Sequence, residues 1–240
     1  MIYIEPPESE RLFKEISQLG KRLKLPIPES FLELQVFDKY GKTLTHTRQR
    51  SHSWTRNAYN LLVSQLMCLR GTGGFTDGNL SIKDTAGAVS STNYITAICA
   101  QNRLNAEDPE AAGVSYLAEA GAVNQGIIVG TGVDAESFDD FALTVCNEGV
   151  RANQLNYMAM EAPTKSWDAG TRTKTVTFQR YMNNNGVADV TIGETGIVAK
   201  IVKGASVRCL MSRDVLAVPV VIPASGQILA SYAMSIVYPS

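Results

Sequence analysis

Two histidines, four cysteines and one dense acidic loop are the residues of this 240-residue chain that could do chemistry. His46 and His52 lie in the basic, hydroxyl-rich stretch Thr45-His-Thr-Arg-Gln-Arg-Ser-His-Ser53. A His-x5-His spacing on strand and loop, with no carboxylate in the stretch, is no metal pair, so surface or interface contact is expected. Cys68, Cys99, Cys146 and Cys209 stand 31, 47 and 63 residues apart among apolar neighbours, without a Cys-x-x-Cys or Cys/His cluster. They read as buried, reduced thiols that pack as small hydrophobes. Asp134, Glu136, Asp139 and Asp140 crowd one loop. Calcium favours such oxygen-rich loops, but the spacing departs from the EF-hand pattern, so a solvated acidic turn is expected. With Glu194 they could supply the paired carboxylates of glycoside cleavage, yet nothing sets them on opposite walls of a cleft. Gly-x-Ser-x-Gly is absent, and with it the strained elbow of an α/β-hydrolase. Gly130-Thr-Gly132 follows an apolar strand but lacks the third glycine and the helix that would hold a pyrophosphate, so it reads as a tight strand-end turn. Gly71-Thr-Gly-Gly74 lacks the Lys-Ser/Thr of a P-loop. The expectation is a protein without catalytic residues, metal or cofactor.

Charge gives the next constraint. The chain carries 22 basic and 23 acidic residues, a net of −1, which supplies no general attraction to nucleic acid or an anionic membrane. Residues 1–56 hold ten Lys/Arg against seven Asp/Glu, a net of +3, and the remainder holds −4. Arg48, Arg50 and Arg56 concentrate the basic end, which could meet the acidic end of a neighbouring copy. No run reaches the length of a spanning apolar helix, and the N-terminus lacks a signal-peptide pattern. A soluble chain made in a cytoplasm is expected, with no membrane or nucleic-acid partner.

The elements that must position these residues fall into two textures. After Pro6-Pro7, Leu12, Phe13, Ile16, Leu19 and Leu23 recur at steps of mostly three and four, with acidic residues first and Lys21, Arg22 and Lys24 last. This predicts an amphipathic helix whose stripe docks on its own domain or, preferably, on a neighbouring subunit. Phe31–Phe37 and Thr43–Arg48 read as a hairpin around Asp38-Lys-Tyr-Gly41. A second helix is expected over about 53–70, capped by Ser53, with Trp54, Ala58, Leu61, Leu62, Gln65, Leu66 and Leu69 on one face. Strands are expected at 79–85, 93–99 and 126–130, and 102–125 is left as loop or short helix. In the last ninety residues, strands at 155–160, 171–181, 188–192, 196–201, 207–211, 219–222 and 228–237 follow one another, with Trp167 in a turn. Short strands without intervening helices predict a mainly β, antiparallel sandwich or jelly-roll-like domain over 31–240, preceded by a helical arm over 1–30.

Several segments together resemble virion structural proteins of tailed bacteriophages. They are Arg50-Ser-His-Ser-Trp-Thr-Arg-Asn-Ala-Tyr-Asn60, Leu80-Ser-Ile-Lys-Asp84, and Gly126-Ile-Ile-Val-Gly-Thr-Gly132 followed by Phe138-Asp-Asp-Phe-Ala-Leu143. The C-terminal order agrees: a Thr-rich strand, Asn183-Asn-Asn-Gly186, Val190-Thr-Ile-Gly-Glu-Thr-Gly196, Ser212-Arg-Asp-Val-Leu-Ala-Val-Pro219 and a Pro-Ala-Ser-Gly turn. The resemblance implies a non-enzymatic tail, neck or connector component of the virion, with capsid decoration as an alternative; a separate alternative is a receptor- or carbohydrate-binding module, for which Trp167 is the one strong aromatic candidate. Its partners would be other virion proteins and copies of itself in a homo-oligomer. Leu12, Phe13, Ile16, Leu19, Arg48, Arg50 and Arg56 are the expected assembly contacts. Glu194 is expected to accept backbone N–H groups at a turn, and Arg213 and Asp214 to pair with each other at a strand end.

Overall fold

The computed structural model describes residues 1–3, 7–67, 73–76, 78–90, 103–104, 113–203 and 205–238. Along the chain these form β1 (Ile2–Tyr3), α1 (Pro7–Leu23), β2 (Pro28–Phe37), β3 (Thr43–Arg50), α2 (Arg56–Met67), β4 (Ile82–Lys83), β5 (Val89–Ser90), β6 (Arg103–Leu104), β7 (Gly113–Ser115), β8 (Gly126–Gly130), β9 (Asn147–Glu148), β10 (Gln154–Tyr157), β11 (Thr164–Asp168), β12 (Thr173–Asn183), β13 (Val190–Lys203), β14 (Ala205–Ile222) and β15 (Gln227–Val237). The protein is mainly β. Its larger sheet has eight strands in the order β1-β3-β2-β15-β12-β10-β9, with β11 also on β12. A five-stranded sheet runs β14-β13-β7-β6, with β8 also on β13, and β4-β5 make a small ribbon. The pairs β1/β3, β9/β10 and β6/β7 are parallel, so the sheets are mixed where a purely antiparallel set was expected. The strand expected at 93–99 lies outside the described residues.

One apolar cluster joins the two large sheets. Leu32, Leu34 and Val36 of β2, Phe178 and Met182 of β12 and Tyr232 of β15 meet Ile127 of β8, Ile197 of β13 and Leu210 of β14. In β2 the buried leucines alternate with half-buried Glu33 and Gln35, because successive strand residues face opposite sides. Each fully buried aliphatic side chain contributes about 1.5–3 kcal/mol relative to exposure.

Two expected turns are strand interior. Segments 188–192 and 196–201 form the single strand β13, and 207–211 and 219–222 form the single strand β14. Gly193-Glu-Thr-Gly196 does not reverse the chain. It bends the ribbon through register shifts at Ile192/Glu194 and Ile197/Val198, as bulges do. A Cβ on Gly196 would lie 2.7 Å from the Ser212 carbonyl oxygen, so glycine there serves close strand approach. Trp167, expected in a turn, belongs to β11, an exposed strand at the flank of β12.

Arg180 is fully buried on the inward set of β12. Its guanidinium donates to the carbonyls of Met158 (2.8 Å), Gln125 (3.0 Å), Ile127 (3.0 Å) and Glu119 (3.0 Å). Burial pushes its pKa down to about 10, so it stays charged at neutral pH. The rigid fork of arginine satisfies several scattered carbonyls at once and thereby fastens the 119–127 segment onto the sheet.

α2 begins at Arg56, three residues later than expected, because residues 53–55 pair alongside β14 instead. Trp54 bridges Ser212, Thr55 N–H donates to the Met211 carbonyl, and Arg213 N–H donates to Ser53 O. Its buried face is Asn57, Asn60, Leu61 and Ser64, while Leu62 is exposed. Asn57 both donates to Lys83 O and accepts from Lys83 N–H, each at 2.8 Å, and Asn60 donates to Ser81 O at 2.7 Å. These amides stitch the helix to β4, a role that hydrophobic periodicity does not reveal. Among the described residues, no helix is long and apolar enough to cross a membrane.

Candidate functional site

α1 carries acidic Glu8 and Glu10 in its first turn and Lys21 and Arg22 in its last, matching the helix dipole. It ends by a Schellman motif: Leu25 N–H donates to Gly20 O at 2.8 Å and Lys24 N–H to Lys21 O at 3.3 Å, with Lys24 at φ 57°. This reversal brings Ile27 onto Gly20, which is buried and where a Cβ would collide with the Ile27 side chain. The inner face of the helix is therefore Glu10, Phe13, Ser17 and Gly20. The Arg50 guanidinium is its main anchor. It sits 3.7 Å from the Phe13 ring centroid and 4.7 Å from that of Phe31. Glu10 accepts from Arg50 Nε at 3.0 Å and from Tyr3 Oη at 2.7 Å. Those two hydrogen bonds, Arg50 first, hold the Glu10 carboxyl below the usual carboxylate range.

The apolar stripe lies elsewhere on the helix. Leu12, Ile16, Leu19 and Leu23 are 45%, 51%, 50% and 58% exposed, and they precede the inner face by about one residue, a little over a quarter turn. Phe13 is the one stripe residue that docks internally. The arginines expected at an assembly interface are engaged within their own chain. Arg48 stacks over Phe31 at 3.9 Å, Arg50 forms the clamp, and Arg56 meets Asp139 at 2.5 Å beside the Phe138 ring. Their neighbours Phe13, Phe31 and Phe138 explain why: a guanidinium is weakly hydrated and stacks readily on aromatic faces.

A second polar cluster is built on the bend of β13 and β14. Arg213 and Asp214 do not pair with each other. As neighbours in the interior of β14 they point to opposite faces. Arg213 Nε donates to Glu194 Oε2 at 2.7 Å, and Nη1 to Asp140 Oδ2 at 2.9 Å. Nη2 donates to Asp134 O at 3.0 Å and Nη1 to Ala135 O at 3.3 Å. The acidic loop thus closes around a guanidinium. Glu194, inside β13 and not at a turn, has no exposure. Its Oε1 accepts Thr144 N–H at 2.7 Å and Gly132 N–H at 3.1 Å. A Cβ on Gly130 would lie 2.7 Å from that oxygen, so Gly130-Thr-Gly132 makes room for a carboxylate and does not reverse the chain.

On the other face Asp214 Oδ2 accepts hydroxyl hydrogen bonds from Tyr232 (2.8 Å), Ser51 (2.9 Å) and Ser212 (3.0 Å). Thr195 and Tyr232 hydroxyls lie 2.9 Å apart. Burial pushes the Asp214 carboxyl up to about 6 while the three hydroxyls pull it down.

The remaining chemistry-bearing residues stay apart. His46 Nε2 lies 2.5 Å from Glu33 Oε1, and His52 Nε2 lies 3.9 Å from Glu136 Oε2, so each imidazole has a carboxylate that the local sequence did not contain. Cys146 and Cys209 are buried free thiols, pushed by desolvation up to about 11 and about 12. Cys68 and Cys99 lie outside the described residues. Among the described residues, no three His, Cys, Asp or Glu side chains gather as a metal site. No family model, curated protein or solved structure matches the chain.

Both oxygens of Glu194 accept hydrogen bonds, so an amide cannot replace it: one end would present N–H to a donor. Glu194→Ala is expected to destabilise by about 3–5 kcal/mol and Glu194→Gln by about 2 kcal/mol or more. Denaturant unfolding measures both, and an unchanged midpoint for Glu194→Gln contradicts the assignment.

Asp214 sets a pH dependence. Its folded pKa lies above the roughly 3.9 of an unfolded Asp, so the stability it confers is full below that value and is lost as pH rises through about 6. The loss is on the order of 2–3 kcal/mol. Asp214→Asn should flatten this part of the stability curve. An identical slope between pH 4 and 6 in both proteins, a window set by these values, rules the role out.

Proposed function

We propose that this chain is a non-enzymatic structural subunit of a tailed-phage virion, a β-sandwich that assembles into a symmetric tail, neck or connector part through its N-terminal helical arm. The observation that carries the reading is the outer face of α1. Four aliphatic side chains in helical register stand about half exposed on a helix that is already fastened to its own domain by another face. Covering what remains exposed contributes about 1 kcal/mol for each side chain. That is small beside the ~4–15 kcal/mol cost of association, so one helix contact is weak alone and effective when repeated around a ring or particle. The remaining chemistry supports the same reading, because the strongest polar clusters are spent on internal partners. Glu194, Arg213 and Asp140 satisfy one another, and Asp214 is enclosed by hydroxyls. Capsid decoration uses the same face and differs only in which particle surface receives it.

One observation favours a second reading, carbohydrate or receptor binding. Trp167 on β11 is 50% exposed, and its ring lies 5.4 Å from that of Tyr238. Tyr238 also borders a cleft of about 270 Å³ with Lys21, Arg172 and Leu25. A tilted aromatic pair beside a cleft can hold a sugar ring, but one such pair is small for a dedicated glycan site.

Ile16→Asp combined with Leu19→Ser distinguishes the readings. Both residues are exposed in the single chain, so the thermal midpoint should change by no more than about 2 °C. Incorporation into particles, read by quantitative gel analysis of purified virions, should fall about tenfold or more. Normal incorporation of the folded variant contradicts assembly through α1.

A further inference from the structure

We infer that the outer face of α1 pairs with the same face of a second copy, the two helices running antiparallel about a two-fold axis. This rests on the assembly reading above and specifies its partner. Leu12, Ile16, Leu19 and Leu23 are spaced four, three and four residues apart, the alternating step of a coiled-coil seam. The seam is its own complement. In an antiparallel pair centred between Ile16 and Leu19, Leu12 meets the neighbour's Leu23 and Ile16 meets the neighbour's Leu19.

Charge fits that direction as well. Phe13 and Gly20 flank the seam on the side turned to the chain's own domain, so the outer flank is formed by Glu15 and Arg22, both exposed. Antiparallel pairing sets Glu15 of one copy beside Arg22 of the other, twice by symmetry. It also lays the first turn of each helix, with exposed Glu8, along the last turn of the other, with exposed Arg22, while Glu10 stays in its own clamp with Arg50. A parallel pair would instead stack acid on acid and base on base. Within the single chain Glu15 bonds Arg11 at 2.6 Å, with both side chains more than half exposed. Such a solvated pair is weak and readily shared with a second cation. The seam covers far less than the ~800 Å² per partner of a standard interface, so the dimer forms weakly and becomes weaker still at high salt.

A charge swap on the full-length chain tests this, with sedimentation followed from low micromolar to near-millimolar concentration. Wild type should dimerise reversibly. Glu15→Arg alone and Arg22→Glu alone each create two like-charge contacts and should weaken the dimer on the order of tenfold. The double variant exchanges the charges and should return to within about threefold of wild type. Helix content by circular dichroism at low concentration confirms that the single variants keep α1. A wild-type chain that stays monomeric throughout overturns the self-pairing, and so does a double variant no better than the singles. Particle incorporation of Ile16→Asp/Leu19→Ser judges the assembly reading separately: if it fails while the free chain is monomeric, a different virion protein covers the stripe.

Discussion

The Arg50 guanidinium lies between the Phe13 and Phe31 rings while Glu10 grips it from the helix side, and this clamp determines which face of α1 points outward. An amphipathic helix of this length gains little from hydrogen bonding alone and ordinarily docks by its apolar stripe. Here the stripe is released because a cation and a carboxylate, with the close approach permitted by Gly20, fasten a different face. The basic N-terminal region of the sequence has the same origin. Its arginines are internal fasteners before they are external charges, since Arg48 and Arg56 are also stacked on rings of their own chain.

The β scaffold shows the same economy with buried polar groups. Arg180 is satisfied by carbonyls and Arg213 by two carboxylates and two carbonyls, and Asp214 Oδ2 accepts from three hydroxyls while its buried Oδ1 has no partner among the described residues. Buried charges are tolerated only with such partners, and removing one partner costs more than the pair contributes. These groups fix the register of long strands that the apolar pattern alone would let slip. They also tie the irregular segments 119–127 and 134–144 to the sheets, which gives a rigid body on which an exposed helix can be presented.

Much of the strand layout was legible because it follows from periodicity. The compact run Gly126–Gly130 coincides with β8, and the alternation in Phe31–Phe37 gives the two faces of β2. The joining of four expected strands into β13 and β14 was not legible, because Gly193-Glu-Thr-Gly196 has the composition of a turn while its glycines serve close packing. Arg180 carries a readable signal, because it alternates with Phe178 and Met182 on the inward side of the strand. Glu194 accepts backbone N–H groups, yet its donors Gly132 and Thr144 are distant in sequence, so no local pattern could name them. The stripe of α1 could be seen in the sequence. That Phe13 alone would turn inward depends on Arg50 and Phe31, and is therefore a tertiary fact.

Hydrogen exchange of α1 tests most directly whether this outer face is covered in an assembly. It would be followed by mass spectrometry in the dilute chain and in intact virions, with peptides from β2 and β15 as internal references. The account predicts intermediate protection of α1 in the free chain and a marked slowing in the particle, while the reference strands exchange alike in both. Equal exchange of α1 in the two states would contradict it.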